Sequence, residues 1–131
     1  LSTQFVVFLE NRPGALAELC EVLAAAGVNV EAILLEGSVD FGNVRLHLSS
    51  PRKAEKALKD AGYQYRAGEA ITVQIPNEPG QLAEIARKLA KAKVNIDSLF
   101  GTTAPEAEQA EFVLLVNDPA KAKKALGLDG K

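Results

Sequence analysis

Residues 11–19 read NRPGALAEL, and residues 77–85 read NEPGQLAEI. The two stretches lie 66 positions apart, and the match continues beyond them. Shifted by 66, Leu16, Leu19, Cys20 and Leu23 fall on Leu82, Ile85, Ala86 and Leu89, and Val28, Asn29 and Val30 fall on Val94, Asn95 and Ile96. From there the offset becomes 68. Val44, Leu46 and Leu48 match Phe112, Leu114 and Val116, while Pro51, Ala54, Ala57 and Leu58 match Pro119, Ala122, Ala125 and Leu126. The second copy has gained two residues, most simply between Thr103 and Gln109. A self-match of this length marks a duplication and fixes the organisation of the chain.

Each copy reads as the same series of elements. Phe5–Leu9 and Ile71–Ile75 are β-rich runs. Pro-Gly then breaks the strand and opens a helix whose apolar stripe recurs at i, i+3, i+4 and i+7: Leu16, Leu19, Cys20 and Leu23. Gly27 suits a left-handed helix cap. The second copy has Lys93 there, so its cap is expected to differ. Val28–Glu36 reads as a second strand, Asp40-Phe41-Gly42 as a turn, and Val44–Leu48 as a third strand. Ser50-Pro51 and Asp118-Pro119 look like an N-cap followed by proline at the first helical position. Ala54, Ala57, Leu58 and Ala61 form a second helical stripe, and Tyr63–Arg66 a short fourth strand. The order is β-α-β-β-α-β, the ferredoxin-like split unit. The expected fold is therefore α+β: two ferredoxin-like βαββαβ units, residues 1–67 and 68–131. The final strand of the second is short or missing, because little chain remains after Leu126. Units of this size are marginal alone.

Composition narrows the function. Net charge is −2, and neither half is basic: residues 1–66 carry seven Lys/Arg against eight Asp/Glu, and residues 67–131 eight against nine. A phosphate-backbone partner is not expected. No apolar run approaches the ~20 residues of a membrane span, and Glu10 and Asn11 interrupt the first one, against a signal peptide. One Cys and one His leave little for a zinc site, and the single thiol fits a reducing cytoplasm. Catalysis needs a nucleophile, an acid–base pair or a metal held together, and none is apparent. His47 alternates with Leu46 and Leu48 and reads as a sheet-face residue; Cys20 reads as a core thiol. No P-loop or dinucleotide glycine motif is present. No enzyme, cofactor or metal is expected.

What remains is the strand-to-helix turn. Glycine permits close approach of backbone to a ligand. The first helical amides, at Gly14, Ala15 and Leu16, carry the positive end of the helix dipole and suit a carboxylate. Asn11 and Asn29 each add a donor and an acceptor, so a ligand carrying both a carboxylate and an ammonium could use both kinds of contact. Asn77, Gly80, Gln81, Leu82 and Asn95 repeat the set. Pro-Gly is equally a good turn in its own right, so spacing alone leaves both readings open.

At these residues the sequence resembles the ACT domain family. The carriers are ENRPGALAELCEVLAAAGVNV and PNEPGQLAEIARKLAKAKVNI, each in the same element frame, and together the copies cover nearly the whole chain. The resemblance is greater to small stand-alone proteins made of two ACT domains. It implies a regulatory module of amino-acid metabolism. It implies two units paired side by side into one antiparallel sheet with helices on one face, and ligands at the interface of the two domains. It implies ligand contacts from Asn11, Arg12, Pro13, Gly14, Ala15, Leu16 and Asn29, and from Asn77, Pro79, Gly80, Gln81, Leu82 and Asn95. Some members carry a His two residues before the loop Asn, where this chain has Leu9 and Ile75. The opposite charges of Arg12 and Glu78 imply two unequal sites. The expected function is non-enzymatic binding of a free amino acid, with an enzyme of amino-acid metabolism as a possible partner. The alternative is a ligand-free protein–protein module, assembling as a homodimer through an open sheet edge.

Overall fold

The computed structural model describes residues 2–128. Its elements, in chain order, are β1 (Ser2–Glu10), α1 (Ala15–Ala25), β2 (Val30–Gly37), β3 (Phe41–Leu48), α2 (Pro51–Asp60), β4 (Tyr65–Pro76), α3 (Gln81–Lys91), β5 (Ile96–Thr102), β6 (Gln109–Val116) and α4 (Pro119–Ala125). Two compact units form, one from Thr3–Gly68 and one from Glu69 onward.

In the first unit the strands run in the order β2-β3-β1-β4, the ferredoxin-like arrangement. β3 pairs antiparallel with both β1 and β2, placing Phe5 opposite Leu46 and Leu46 opposite Ile33. The Phe8 amide donates to the Gln64 carbonyl at 3.0 Å, just ahead of β4. Alternation sends Phe5, Val7 and Leu9 to one face, where they pack with Val44, Leu46 and Leu48 beneath Leu19 and Leu23 of α1 and Ala54 and Leu58 of α2. Burying each such large side chain contributes roughly 1.5–3 kcal/mol. Cys20 and Leu16 sit at the margin of the α1 stripe and are only half-buried.

The second unit repeats this with strand order β4-β6-β5. Ile71, Val73, Leu114 and Val116 pack with Leu89 of α3 and Ala122 of α4. Among the described residues no strand follows α4.

Four local expectations change. Tyr63–Arg66 and Ile71–Ile75 are not separate strands: one strand, β4, runs from Tyr65 through Gly68 to Pro76. Phe41 and Gly42 belong to β3, and the hairpin turns at Ser38–Asp40, where the Ser38 amide donates to the Phe41 carbonyl at 2.8 Å. Ser50 precedes α2 with φ 49° and makes no side-chain cap, whereas Asp118 accepts from the Lys121 amide at 3.1 Å. The α3 cap does not differ from that of α1. Gly27 (φ 74°) and Lys93 (φ 60°) both turn left-handed. In each case the next amide closes the motif: Val28 donates to the Leu23 carbonyl and Val94 to the Leu89 carbonyl, both at 2.9 Å.

Candidate functional site

The loop after β1 is tied to the β2–β3 hairpin by one side chain. The Asn11 amide group donates to the Ser38 carbonyl at 2.5 Å and the Val39 carbonyl at 3.3 Å. The Asn11 backbone amide donates to the Asp40 carbonyl at 2.7 Å. Gly37 makes room for this, since a Cβ there would stand 3.3 Å from the Asn11 side chain. The second copy repeats the clamp: Asn77 donates to the carbonyls of Ala107 at 3.0 Å and Ala104 at 3.4 Å, and its backbone amide to Glu108 at 2.9 Å. The repeated asparagine thus has a structural duty in each unit, and its NH2 group is already engaged.

The glycines after it also act alike. Gly14 and Gly80 each precede their helix with φ 88°, a conformation that disfavours any side chain. Of the three helix-opening amides expected to be unpartnered, that of Ala15 donates to the Arg12 carbonyl at 3.3 Å, and Gln81 likewise donates to Glu78 at 3.4 Å. Ala15 is buried, Leu16 half-buried and Pro13 exposed; Pro79 is exposed, Gln81 half-buried and Leu82 exposed.

Asn29 and Asn95 are not part of this cluster within their own units. β2 runs parallel to β1, so Asn29, just before Val30, lies beside Leu48 and Ser49, whereas Glu10 pairs with Phe41 at the other end of β3. The two ends of β3, Phe41 and Leu48, are seven steps apart, roughly 23 Å at ~3.3 Å per residue. There the Asn29 backbone amide donates to the Ser49 hydroxyl oxygen at 2.8 Å, and the Asn29 carbonyl accepts from the Ser49 amide at 3.0 Å. Asn95 makes the matching pair with Asn117, at 2.9 and 3.2 Å, and its side chain donates to Asp97 at 2.8 Å.

A cleft of about 320 Å³ opens beside the first loop, lined by Phe8, Phe41, Ala15 and Tyr63 and by Arg12 and Glu18. The Arg12 guanidinium donates to Glu18 at 2.7 and 3.4 Å and to Glu10 at 3.2 Å. The hydrogen bond and charge of Arg12 hold the Glu18 carboxyl below its usual range, and Glu18 in turn raises Arg12. Desolvation, then the Glu18 charge, pushes the Tyr63 phenol up. The cleft therefore offers both signs of charge at one edge and rings at the others. Glu10, Glu18, Phe8, Phe41 and Tyr63 were not singled out from the sequence. The available signal was the Arg12–Glu18 spacing, which lets a loop cation reach the first helical turn. The equivalent positions in the second copy are Gln74, Pro76, Glu78, Glu84 and Gln109, so that unit lacks the cation and the rings.

His47 lies opposite Gln4 and Ala32 on the sheet face away from the helices. Among the described residues no group of three or more His, Cys, Asp or Glu is placed to hold a metal ion, and no helix is long and apolar enough to cross a membrane.

A βαββαβ unit followed by a βαββα repeat of it, the two sharing β4 and each with a Pro-Gly turn clamped by asparagine, define a tandem ferredoxin-like protein. Its family follows directly: residues 2–127 match the ACT domain pair, and the chain belongs to that family. It is similar to a protein of Bacteroides thetaiotaomicron of known crystal structure, with 32% identity over 96% of this chain and 86% of that one, and a TM-score of 0.88. It shares its fold with the ligand-free regulatory subunit of aspartate kinase from Thermus thermophilus (17% identity, 99% and 93% covered, TM-score 0.72). The same holds for the regulatory subunit of aspartate kinase from Thermus flavus (18% identity, 96% and 90% covered, TM-score 0.66). Among curated proteins none matches the chain.

Proposed function

We propose that the protein is a non-enzymatic regulatory module of the cytoplasm whose first unit binds one small zwitterion, a free amino acid, in the cleft above Arg12. The observation that carries this reading is the Arg12 cluster itself: a guanidinium shared between Glu10 and Glu18 in the lining of a cleft that also holds rings. A ligand carboxylate takes a share of Arg12, the ligand ammonium takes the carboxylate so released, and Phe8, Phe41 and Tyr63 receive an apolar side chain. Pockets of this kind set orientation by a few polar groups and draw affinity from apolar walls. Membership of the ACT domain pair family supports a ligand-binding regulatory role. Asn77, Pro79, Gly80, Gln81 and Leu82 then serve the fold of a unit without ligand. Asn29 and Asn95 serve to start β2 and β5. The lone thiol of Cys20 suits a reducing compartment.

A thermal-shift panel of the twenty amino acids tests this, with phosphate and nucleotides as controls. At 100-fold excess over the dissociation constant, a bound ligand stabilises by about 2.7 kcal/mol. One or a few amino acids should raise Tm, and Arg12→Gln should abolish the rise without lowering the Tm of the free protein by more than a few degrees. A flat panel on folded protein defeats the proposal.

A further inference from the structure

The helix layers of the two units carry different charge. In the first unit α1 and α2 hold four cations, Arg52, Lys53, Lys56 and Lys59, against four carboxylates, Glu18, Glu21, Glu55 and Asp60. In the second unit α3 and α4 hold six cations against one carboxylate, Glu84. Asp118, which caps α4, adds a second acid, and Lys93, just after α3, a seventh cation. α3 and α4 touch, and Leu89 of one and Ala122 of the other enter the same core. Their outward side chains therefore share one surface. Arg87, Lys88, Lys91, Lys93, Lys121 and Lys124 are all exposed on it.

The fold does not ask for this charge. Lys88 pairs with Glu84 at 3.5 Å, and Lys123 pairs with Glu69. Among the described residues no carboxylate lies within ion-pair distance of Arg87, Lys91, Lys93, Lys121 or Lys124. Arg87 and Lys91 stand at i, i+4, where like charges oppose helix formation. The helix dipole favours Lys88 and Lys91 in the last turn of α3, yet α1 has no basic residue there and forms a helix of the same length. The first-copy counterparts of Arg87, Lys88, Lys91 and Lys93 are Glu21, Val22, Ala25 and Gly27. Lys93 is the sharpest case. It holds φ 60° where the other copy has glycine at 74°. That backbone favours glycine, so the lysine places a charge on this surface against the preference of its own main chain.

The remaining features of the face narrow its partner. A nucleic-acid backbone is a poor match: residues 67–131 carry nine acids against eight cations, which repel a long polyanion beyond the patch, and neither helix has an aromatic ring for bases. A bilayer is a poor match too, since among the described residues Leu82 is the one large apolar side chain exposed on these helices. Ala83, Ala86 and Ala90 are exposed beside Arg87 and Lys91, and small side chains let a second helix come close.

We propose that the outer face of α3 and α4 is a docking surface for an acidic helical segment of another protein, whose carboxylates meet Arg87, Lys91 and Lys93 on one helix and Lys121 and Lys124 on the other. Complementary charge of this kind steers encounter and fixes which partner fits. The balanced helix layer of the first unit does not offer it.

The full chain, labelled with 15N, is titrated with a peptide of repeated Glu-Leu-Ala-Glu blocks, with its Lys-for-Glu counterpart, with single-stranded oligodeoxythymidine and with phosphatidylserine vesicles. Sedimentation equilibrium is run on the protein alone. The expected result is saturable binding of the glutamate peptide, with shifts confined to α3 and α4 amides and affinity falling as salt rises. Arg87→Glu with Lys91→Glu should bind it about tenfold more weakly or worse, with an unchanged melting curve showing that the variant folds. Lys93→Gly should melt higher than the wild type and still bind about threefold more weakly, a split that a purely structural lysine does not produce. The proposal is overturned by no saturable binding of the glutamate peptide, by shifts mapping elsewhere, by equal binding of the two peptides or by tighter binding of the oligonucleotide or the vesicles. It is equally overturned if Lys93→Gly binds as tightly as the wild type, or if the free protein forms an oligomer that the double charge reversal dissolves.

Discussion

Lys93 holds the backbone conformation that Gly27 holds in the other copy, with φ 60° against 74° and the same closing hydrogen bond from the following valine at 2.9 Å. A left-handed conformation costs a non-glycine residue roughly 1–2 kcal/mol, and the α3 cap forms in spite of it. The core valine that follows, Val94, is 6% exposed, and its burial holds the turn in place. Lys93→Gly should raise stability by about 0.5–1 kcal/mol, part of the relief being lost to the freer unfolded chain. Gly27→Ala should lower it by about 1 kcal/mol through strain alone, because nothing lies within 4 Å of a Cβ at that site. Urea titration of both variants measures the pair; changes of the same sign would remove this account of the caps.

Gly101→Ala should destabilise the second unit by about 1–3 kcal/mol, the range for overpacking, since the new methyl enters the space of the Phe112 ring. Exchanging the pair for its first-copy counterpart, Gly101→Leu with Phe112→Val, should be far milder than Gly101→Leu alone. A double-mutant cycle reads this directly as a non-additive term.

Asn11→Ala removes the donor to Ser38 and Val39. Those carbonyls are exposed and can turn to water, so the expected cost is about 1 kcal/mol. Asn11→Asp, closer in shape, should cost at least as much, because a carboxylate cannot donate to a carbonyl and repels it. Hydrogen exchange at Ser38–Asp40 should accelerate in both variants. If aspartate proves harmless, the assigned direction of the hydrogen bond is wrong.

Glu18 titrates low because Arg12 hydrogen-bonds and attracts its charged form. A depressed carboxyl contributes stability that is present above its unfolded pKa and lost as pH falls through the folded one. The small contribution of this pair should therefore fade as pH falls from the ordinary glutamate range to the lower pKa of the folded state. Carbon-detected NMR titration should find Glu18 low in the wild type, returned to an ordinary value in Arg12→Gln, and partly returned in high salt, since the pair is exposed.

Much of the fold was legible because it is written twice. The apolar stripe of α1 and the alternation of β3 are period signals, and each had a partner 66 or 68 residues on that confirmed its reading. The misses are places where local signals and tertiary packing diverge. The boundary expected between residues 67 and 68 falls inside a strand, because β4 runs straight through it. Lys93 reads as incompatible with a left-handed cap, because propensity does not register the buried valine behind it. The loop itself was found, but Asn11 and Asn77 turned out to be clamps. Charge pairing across six residues, Arg12 to Glu18, follows no helix rule, since one partner lies outside the helix. The outward rings of Phe8 and Phe41 look like ordinary strand residues until the hairpin brings them to one cleft.

The Asn11 clamp has a thermodynamic consequence. One side of it holds the loop that carries Arg12; the other holds the turn that ends β2. Any molecule that shifts the loop must strain or relax these hydrogen bonds, and so bias the turn. Linkage makes the effect mutual: whatever biases the turn alters affinity for a guest at the loop by the same factor with which that guest biases the turn. Asn11 is the joint between loop and turn, and replacing it should let the two move independently.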